Sequence, residues 1–267
     1  MSRFDYHQPE SLSEAVELAA RFGTEGHFLA GGTDLVVQIQ RGRVAPRHVI
    51  ALCRVPGLAD IEINGEVNGE INGRITLGAG VTHRAIERTP GFAGALGCLI
   101  EGAEVIGGHQ VRNVGTIGGN LVNASPAADL NPCLLALDGA VTLLGPDGER
   151  ELPVEGFLRG PNQTARRPEE LLTRVRLPAL PPRSATAFLK AGRRRAMEIS
   201  VVCVAVRLTL DAGGERCLVA RIALGAVAPT TVRARVAERL IEGQPATADV
   251  FRLAGQAARE ACAPIDD

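Results

Sequence analysis

The chain has 267 residues, of which 45% are apolar and 22% are charged, a composition typical of a globular protein of one large or two smaller domains. Its 29 basic and 30 acidic residues nearly balance, so no overall field would recruit nucleic acid or an anionic membrane. No apolar run reaches the roughly 18 residues of a membrane span, and the N-terminal stretch lacks a secretory signal. We therefore expect a cytoplasmic protein.

Six cysteines are spread widely along the chain and none forms a C-x-x-C pair. This spacing favours reduced, buried thiols over disulfides, zinc or an iron–sulfur cluster. His83 and His109 have no acidic or cysteine neighbours at ligand spacing, so we predict no metal site. Ser125 does not lie in G-x-S-x-G, and we predict no catalytic nucleophile.

The first two thirds of the chain mix helix and strand patterns. Ser11 and Glu14 form a capping box that opens a helix ending near Arg21. The elements predicted after it are a strand at 27–30, a helix at 34–41, a strand at 48–52, a hairpin of 60–63 with 74–77, helices at 82–88, 92–105 and 126–137, and strands at 140–144 and 171–177.

Three prolines in the segment 177–183, LPALPPR, predict a linker or domain boundary. Beyond it we predict three strands, at 186–190, 199–210 and 217–226, followed by two amphipathic helices at 231–242 and 247–262. The fold class is therefore α+β, with a larger domain at residues 1–177 and a small C-terminal domain at 178–267 built on a three-stranded antiparallel sheet.

The stretch 106–129, IGGHQVRNVGTIGGNLVNASPAAD, shows almost no helix or strand periodicity and is predicted to be a loop. Its apolar residues indicate that the loop is pinned into the protein, so its backbone N–H groups must find partners. Gly118 and Gly119 would permit φ > 0 and close approach of the backbone to another object. Consecutive N–H groups turned to one side would bind an anion such as a cofactor phosphate.

A second glycine pair, Gly31-Gly32, lies between a predicted strand and a predicted helix, with Thr33 or Asp34 as the helix cap. Such a junction also offers unpaired N–H groups to a phosphate. The signal is weak alone, because Gly-Gly turns before helices are common. Neither G-x-G-x-x-G nor G-x-x-x-x-G-K-[ST] is present, and the nearest approach, at 78–83, has His83 in place of the third glycine.

FLAGGTDL, followed about 80 residues later by IGGHQVRNVGTIGGNLVNASPAADLNP, resembles the FAD-binding medium subunit of the molybdenum hydroxylases. This family includes carbon monoxide dehydrogenase and bacterial xanthine dehydrogenases. The resemblance covers nearly the whole chain and implies a PCMH-type FAD-binding domain of two subdomains, followed by the C-terminal domain. The FAD contacts that it implies are Leu29, Ala30, Gly31, Gly32, Thr33, Asp34, Leu35, Val36, Ile106, Thr116, Ile117, Gly118, Gly119, Asn120, Asp129, Leu172 and Lys190.

The resemblance further implies an oxidoreductase subunit. It would receive electrons from a small [2Fe-2S] subunit, itself supplied by a large molybdenum-cofactor subunit, and pass them through FAD to NAD, oxygen or another acceptor. Ile106 departs from relatives that place an aromatic residue against the flavin ring. Lys190, the only lysine in the chain, would put a positive charge beside the flavin. Two alternatives stay open: a stand-alone FAD oxidoreductase, and a non-catalytic nucleotide-binding module.

Overall fold

The computed structural model describes residues 3–67, 70–71, 73–194 and 197–265. The helices are α1 (Leu12–Phe22), α2 (Leu35–Gln40), α3 (His83–Glu87), α4 (Gly97–Glu104), α5 (His109–Val114), α6 (Ile117–Asn123), α7 (Leu130–Ala136), α8 (Val154–Phe157), α9 (Arg235–Ile241) and α10 (Ala248–Ala258). The strands are β1 (Asp5–His7), β2 (Gly26–Leu29), β3 (His48–Ala51), β4 (Ile61–Ile63), β5 (Glu66–Val67), β6 (Glu70–Ile71), β7 (Ile75–Gly78), β8 (Ala140–Gly145), β9 (Gly148–Pro153), β10 (Leu158–Gly160), β11 (Gln163–Thr164), β12 (Leu171–Leu177), β13 (Ser184–Ala191), β14 (Val202–Leu210), β15 (Cys217–Gly225) and β16 (Val232–Arg233).

The N-terminal part is a small parallel sheet in the order β1-β3-β2, with α1 packed against it. The predicted capping box at the start of α1 is confirmed in its first half: the Glu14 N–H donates to Ser11 Oγ at 3.1 Å. The Glu14 carboxylate reaches back to the N–H of Glu10 rather than to that of Ser11. The predicted strands at 27–30 and 48–52 are confirmed as β2 and β3, and β1 joins them as an edge strand that the sequence pattern did not indicate.

A five-stranded antiparallel sheet in the order β4-β7-β12-β8-β9 follows. The predicted hairpin is confirmed as the β4–β7 pair, and β9 is an additional edge strand. Side chains from this sheet and from α3, α4, α6 and α7 share one large apolar core. Phe92, Leu99 and Leu134 are among its fully buried members.

The predicted loop at 106–129 contains two short helices, α5 and α6, so the prediction of irregular structure is wrong there. Thr116 caps α6 by accepting a hydrogen bond from the Gly119 N–H at 3.0 Å. Two adjacent glycines lower helix propensity by about 1 kcal/mol each relative to alanine, which hides this helix from a sequence pattern. Packing of α6 against the segment after β7, through N–H bonds from Ile117 and Gly118, overrides that propensity.

The C-terminal part is an antiparallel sheet in the order β13-β14-β15-β16, with α9 and α10 on one face. The three predicted strands are present, and β16 extends the sheet to four. Because β16 occupies Val232–Arg233, the helix predicted from residue 231 begins only at Arg235. The free edge of β13 is covered by α4, where the Phe188 N–H donates to Glu101 Oε2 at 2.6 Å.

Helix α7 is entirely buried and connects the large core to the C-terminal sheet. A carboxylate stands at each of its ends. Asp129, before the helix, binds Lys190 Nζ at 2.8 Å, and Asp138, just after it, accepts hydrogen bonds from three arginines on neighbouring strands. Those arginines are Arg207 on β14 at 2.7 Å, Arg221 on β15 at 3.3 Å and Arg233 on β16 at 3.1 Å. None of the helices in the described residues is long and apolar enough to span a membrane.

Candidate functional site

The first glycine pair lies in the turn between β2 and α2. Gly32 has φ +73°, a conformation that glycine adopts without strain. Gly31 lies directly against the backbone of Val114, since a Cβ on Gly31 would fall 1.8 Å from the Val114 carbonyl oxygen. The two glycine-rich segments, about 80 residues apart in sequence, therefore touch.

The turn leaves a run of backbone donors unused. Among the residues that the structure describes, the N–H groups of residues 31–35 donate to no protein acceptor. Asp34 occupies the cap position of α2, but its side chain makes no capping bond. Partial burial raises the pKa of the Asp34 carboxyl above its ordinary value, although the side chain keeps contact with solvent. Leu29 and Leu35 are half-buried, whereas Ala30 and Val36 are exposed.

The second glycine pair differs from its sequence-based interpretation. Gly118 and Gly119 do not have positive φ. The N–H groups of residues 117–120 are all paired: Ile117 with Val81 O, Gly118 with Ala79 O, Gly119 with Thr116 Oγ1 and Asn120 with Thr116 O. The expected concavity of free N–H groups is therefore absent at 117–120.

What the second segment offers is a surface without side chains. Gly118 packs inward, where a Cβ would lie 2.6 Å from Ala79 O, whereas Gly119 is exposed and a Cβ there would meet only Thr116 Oγ1 at 3.1 Å. Beside it, Asn120 Oδ1 is buried and has no hydrogen-bond partner among the residues that the structure describes. A buried acceptor without a donor is a destabilising arrangement unless a further group supplies one.

Asp129 and Lys190 form a buried ion pair. Lys190 Nζ donates to Asp129 Oδ2 and to the Glu198 carbonyl, each at 2.8 Å, and Ser200 Oγ donates to Asp129 Oδ1 at 2.5 Å. Burial raises the pKa of the Asp129 carboxyl despite the bonds from Lys190 and Ser200. The charge of Lys190 is therefore compensated by Asp129, 61 residues away, and among the described residues only two of its three donors are used.

Ile106, Ile117 and Leu172 are placed differently from one another. Ile106 is half-buried in the loop after α4. Ile117 is fully buried and Leu172 is 3% exposed, and both side chains belong to the large apolar core. These two residues could therefore touch a ligand only through their main chain. The register of β12 shifts after Leu172, and there the Thr173 carbonyl accepts a hydrogen bond from the Ala79 N–H. The Ala79 carbonyl in turn accepts from the Gly118 N–H.

Two arginines near these segments escaped the sequence analysis. Arg112 is buried and bonds the carbonyls of Ile106 and Gly107. The guanidinium carbon of Arg166 lies 6.0 Å from the ring centre of Phe28. Phe28 belongs to β2, the strand that leads into the first glycine-rich turn. An arginine inside an apolar, glycine-rich stretch such as GGHQVRNVG is the one sequence signal that could have drawn attention to Arg112.

Metal-binding potential is absent in the part of the chain that the structure describes, where no group of three or more histidine, cysteine or acidic side chains could hold an ion. His83 is buried, and burial together with the charge of Arg112 lowers its pKa to about 4. The six cysteines are free thiols, four of them buried.

The comparisons with known proteins identify the family to which the chain is similar. The family model described as "FAD binding domain in molybdopterin dehydrogenase" matches residues 2–180, and "CO dehydrogenase flavoprotein C-terminal domain" matches residues 187–267. The carbon monoxide dehydrogenase medium chain of Hydrogenophaga pseudoflava is 31% identical, over 99% of this chain and 89% of the relative. A putative xanthine dehydrogenase FAD-binding subunit of Escherichia coli K12 is 29% identical, over 97% and 86%.

Solved structures give the same result. A carbon monoxide dehydrogenase of Hydrogenophaga pseudoflava, lacking the Mo-pyranopterin moiety, matches with a TM-score of 0.91 and 32% identity, covering 99% of this chain and 89% of that one. Quinoline 2-oxidoreductase of Pseudomonas putida 86 matches with 0.88 and 28%, covering 99% and 88%.

The chain belongs to the family of FAD-binding domains of the molybdopterin dehydrogenases. It is an FAD-binding subunit of the molybdenum hydroxylase type, and thus part of an oxidoreductase.

Proposed function

We propose that this chain, with its FAD, passes electrons from the [2Fe-2S] clusters of a small partner subunit to an external acceptor such as NAD or oxygen. The complex would also contain a large subunit with the molybdenum cofactor, where substrate is oxidised. The medium-chain and FAD-subunit names of the relatives support such an assembly.

The observation that carries the proposal is the run of unpaired N–H groups at residues 31–35. A diphosphate is the part of FAD that such a run suits, because consecutive N–H groups bind phosphate oxygens without a charged side chain. The absence of a side chain at Gly31 lets this turn pack directly against the Val114 carbonyl. When bound, FAD supplies redox chemistry that no side chain provides.

The other expected contacts divide into three kinds. Gly119 offers an open surface and Asn120 an unpaired acceptor, which suits a hydroxyl donor such as that of a ribityl chain. Ile117 and Leu172 would contribute main-chain atoms, because their side chains are in the core. Lys190 would use its third donor while Asp129 keeps the ammonium in position.

The two alternatives differ from this proposal in what would be purified. A stand-alone FAD oxidoreductase would be a single chain that turns over a substrate by itself, and a nucleotide-binding module would hold no flavin. In the proposed complex, electrons would reach the FAD from a cluster on another subunit, whereas in a stand-alone oxidoreductase they would come directly from the substrate.

The test is an absorption spectrum and a mass measurement of the complex purified from its native host. We expect bands of both flavin and [2Fe-2S] clusters, heat-released FAD rather than FMN, and three kinds of subunit. A monomeric flavoprotein with its own substrate turnover would contradict the proposal.

A further inference from the structure

The loop at residues 106–108 has little within itself to fix its conformation. It joins α4 to α5 and includes Gly107, at φ +50°, and Gly108. The carbonyls of Ile106 and Gly107 accept hydrogen bonds from a side chain instead of from helical N–H groups. Two glycines cost the loop no strain but give it no side-chain anchor. Buried carbonyls of this kind need donors from elsewhere.

Arg112 supplies those donors. Its Nη1 donates to the carbonyls of Ile106 and Gly107, each at 3.2 Å, and its Nη2 lies 3.1 Å from His109 Nδ1. The side chain is only 8% exposed. The guanidinium therefore bonds the two loop carbonyls, His109 and Glu87 through three different nitrogens, which the single ammonium nitrogen of a lysine could not do at once.

The charge of Arg112 is compensated from a third element. Its Nε donates to Glu87 Oε2 on α3 at 3.3 Å, and the other oxygen of Glu87 accepts from Arg84 at 2.5 Å. Burial acts to raise the pKa of the Glu87 carboxyl, but the hydrogen bonds and charges of Arg84 and Arg112 outweigh it and hold the pKa below its ordinary value. Glu87 therefore stays ionised and keeps Arg112 in place.

The loop carries a residue that is expected to touch the cofactor, and it lies beside Met197 of the C-terminal part. It holds Ile106, the residue expected against the flavin ring, and a Cβ on Gly108 would lie 3.6 Å from Met197 Sδ. Any displacement of the loop would move Ile106 and this contact together.

We propose that Arg112 is a positioning residue of the flavin site: it fixes the loop 106–108 and thereby the surface that Ile106 presents to FAD. The inference rests on the proposed function of the chain as an FAD-binding redox subunit. It assigns to Arg112 no contact with the reacting atoms.

The test compares Arg112→Gln with Arg84→Gln in the 267-residue chain. The control removes the other partner of Glu87, yet Arg84 makes no bond to the loop. For Arg112→Gln we expect faster hydrogen exchange at residues 105–112 of the FAD-free chain, FAD affinity weakened about tenfold or more, and a shifted flavin absorption spectrum. The FAD affinity of Arg84→Gln should stay within about twofold of the wild type, because a partly exposed ion pair contributes little free energy.

Equal effects of the two substitutions, or wild-type exchange and affinity in Arg112→Gln, would overturn the positioning role. If Arg112→Gln does not fold, Arg112→Lys keeps the positive charge but has one nitrogen in place of the three that bond Glu87, the loop carbonyls and His109. It should fold and still bind FAD more weakly, and wild-type affinity in it would reject the inference. A wild-type chain that binds no FAD would instead reject the proposed function itself, so the two failures are distinguishable.

Discussion

The two glycine pairs look alike in sequence but do different work. Gly31-Gly32 forms a turn with a positive φ at Gly32 and with N–H groups that no described protein acceptor takes up. Gly118-Gly119 lies in the first turn of α6, where every N–H is paired. The first pair exposes backbone for a ligand, and the second removes side chains so that a helix can come close. A glycine pair alone therefore does not indicate which of these roles it has.

The largest effect should come from Gly31→Ala. Its Cβ would fall 1.8 Å from the Val114 carbonyl oxygen, so the backbone of one segment must move. We expect a loss of about 3 kcal/mol in the free energy of unfolding, at the upper end of typical overpacking, with loss of FAD binding. Urea denaturation of the FAD-free chain measures the first effect. A stability change below about 0.5 kcal/mol would show that the two segments do not touch as described.

The next effect concerns His83, whose backbone N–H donates to the Gly115 carbonyl in the second glycine-rich segment. Burial and then the charge of Arg112 lower its pKa from 6.5 to about 4 in the folded chain. The unfolded chain binds more protons between these values, so the free energy of unfolding should fall as the pH drops from about 6.5 to about 4. The loss is on the order of 2–3 kcal/mol. The free energy of unfolding, measured by denaturation across this pH range, should change less with pH in His83→Gln than in the wild type. The same pH dependence in both proteins would contradict the burial of a neutral imidazole.

Gly118→Ala should have a smaller effect than Gly31→Ala. A Cβ would lie 2.6 Å from Ala79 O, but alanine favours a helix by about 1 kcal/mol over glycine and offsets part of the clash. We expect a net loss of about 1 kcal/mol together with weaker FAD binding, measured by denaturation and flavin titration. A loss as large as that of Gly31→Ala would remove the distinction between the two pairs.

Gly119→Ala should leave stability nearly unchanged, within about 0.5 kcal/mol, because the helix propensity that alanine gains is offset by the 3.1 Å contact of its Cβ with Thr116 Oγ1 at an exposed position. Its value is that it separates folding from binding. If FAD approaches this surface, affinity should fall while the denaturation curve stays the same. Unchanged affinity would exclude Gly119 from the cofactor site.

The sequence predicted elements whose signals are local. Ser11 lies next to the helix that it caps, and the helix predicted at 82–88 and the strand predicted at 171–177 are observed as α3 and β12. Helix α6 was missed because packing on Ala79 and Val81 outweighs the low propensity of its glycines.

The interactions that organise the site are long-range. Arg112 meets Glu87 across 25 residues, and Lys190 meets Asp129 across 61. Residue types and spacing show that such groups exist, but not which of them pair. The sequence therefore predicts a positive charge at Lys190 but does not show that Asp129 compensates it, and it does not single out Arg112.

Helix α7 has a consequence for protein engineering. Its two flanking carboxylates, Asp129 and Asp138, belong to the N-terminal part, while Lys190, Arg207, Arg221 and Arg233 come from the C-terminal sheet. Cutting the chain between Leu177 and Ser184 would expose the buried helix α7 in one fragment. It would leave basic residues without their carboxylate partners in the other fragment. We therefore expect that neither fragment folds by itself. Chimeras between relatives should retain their fold only when both carboxylates and their basic partners are exchanged as one set.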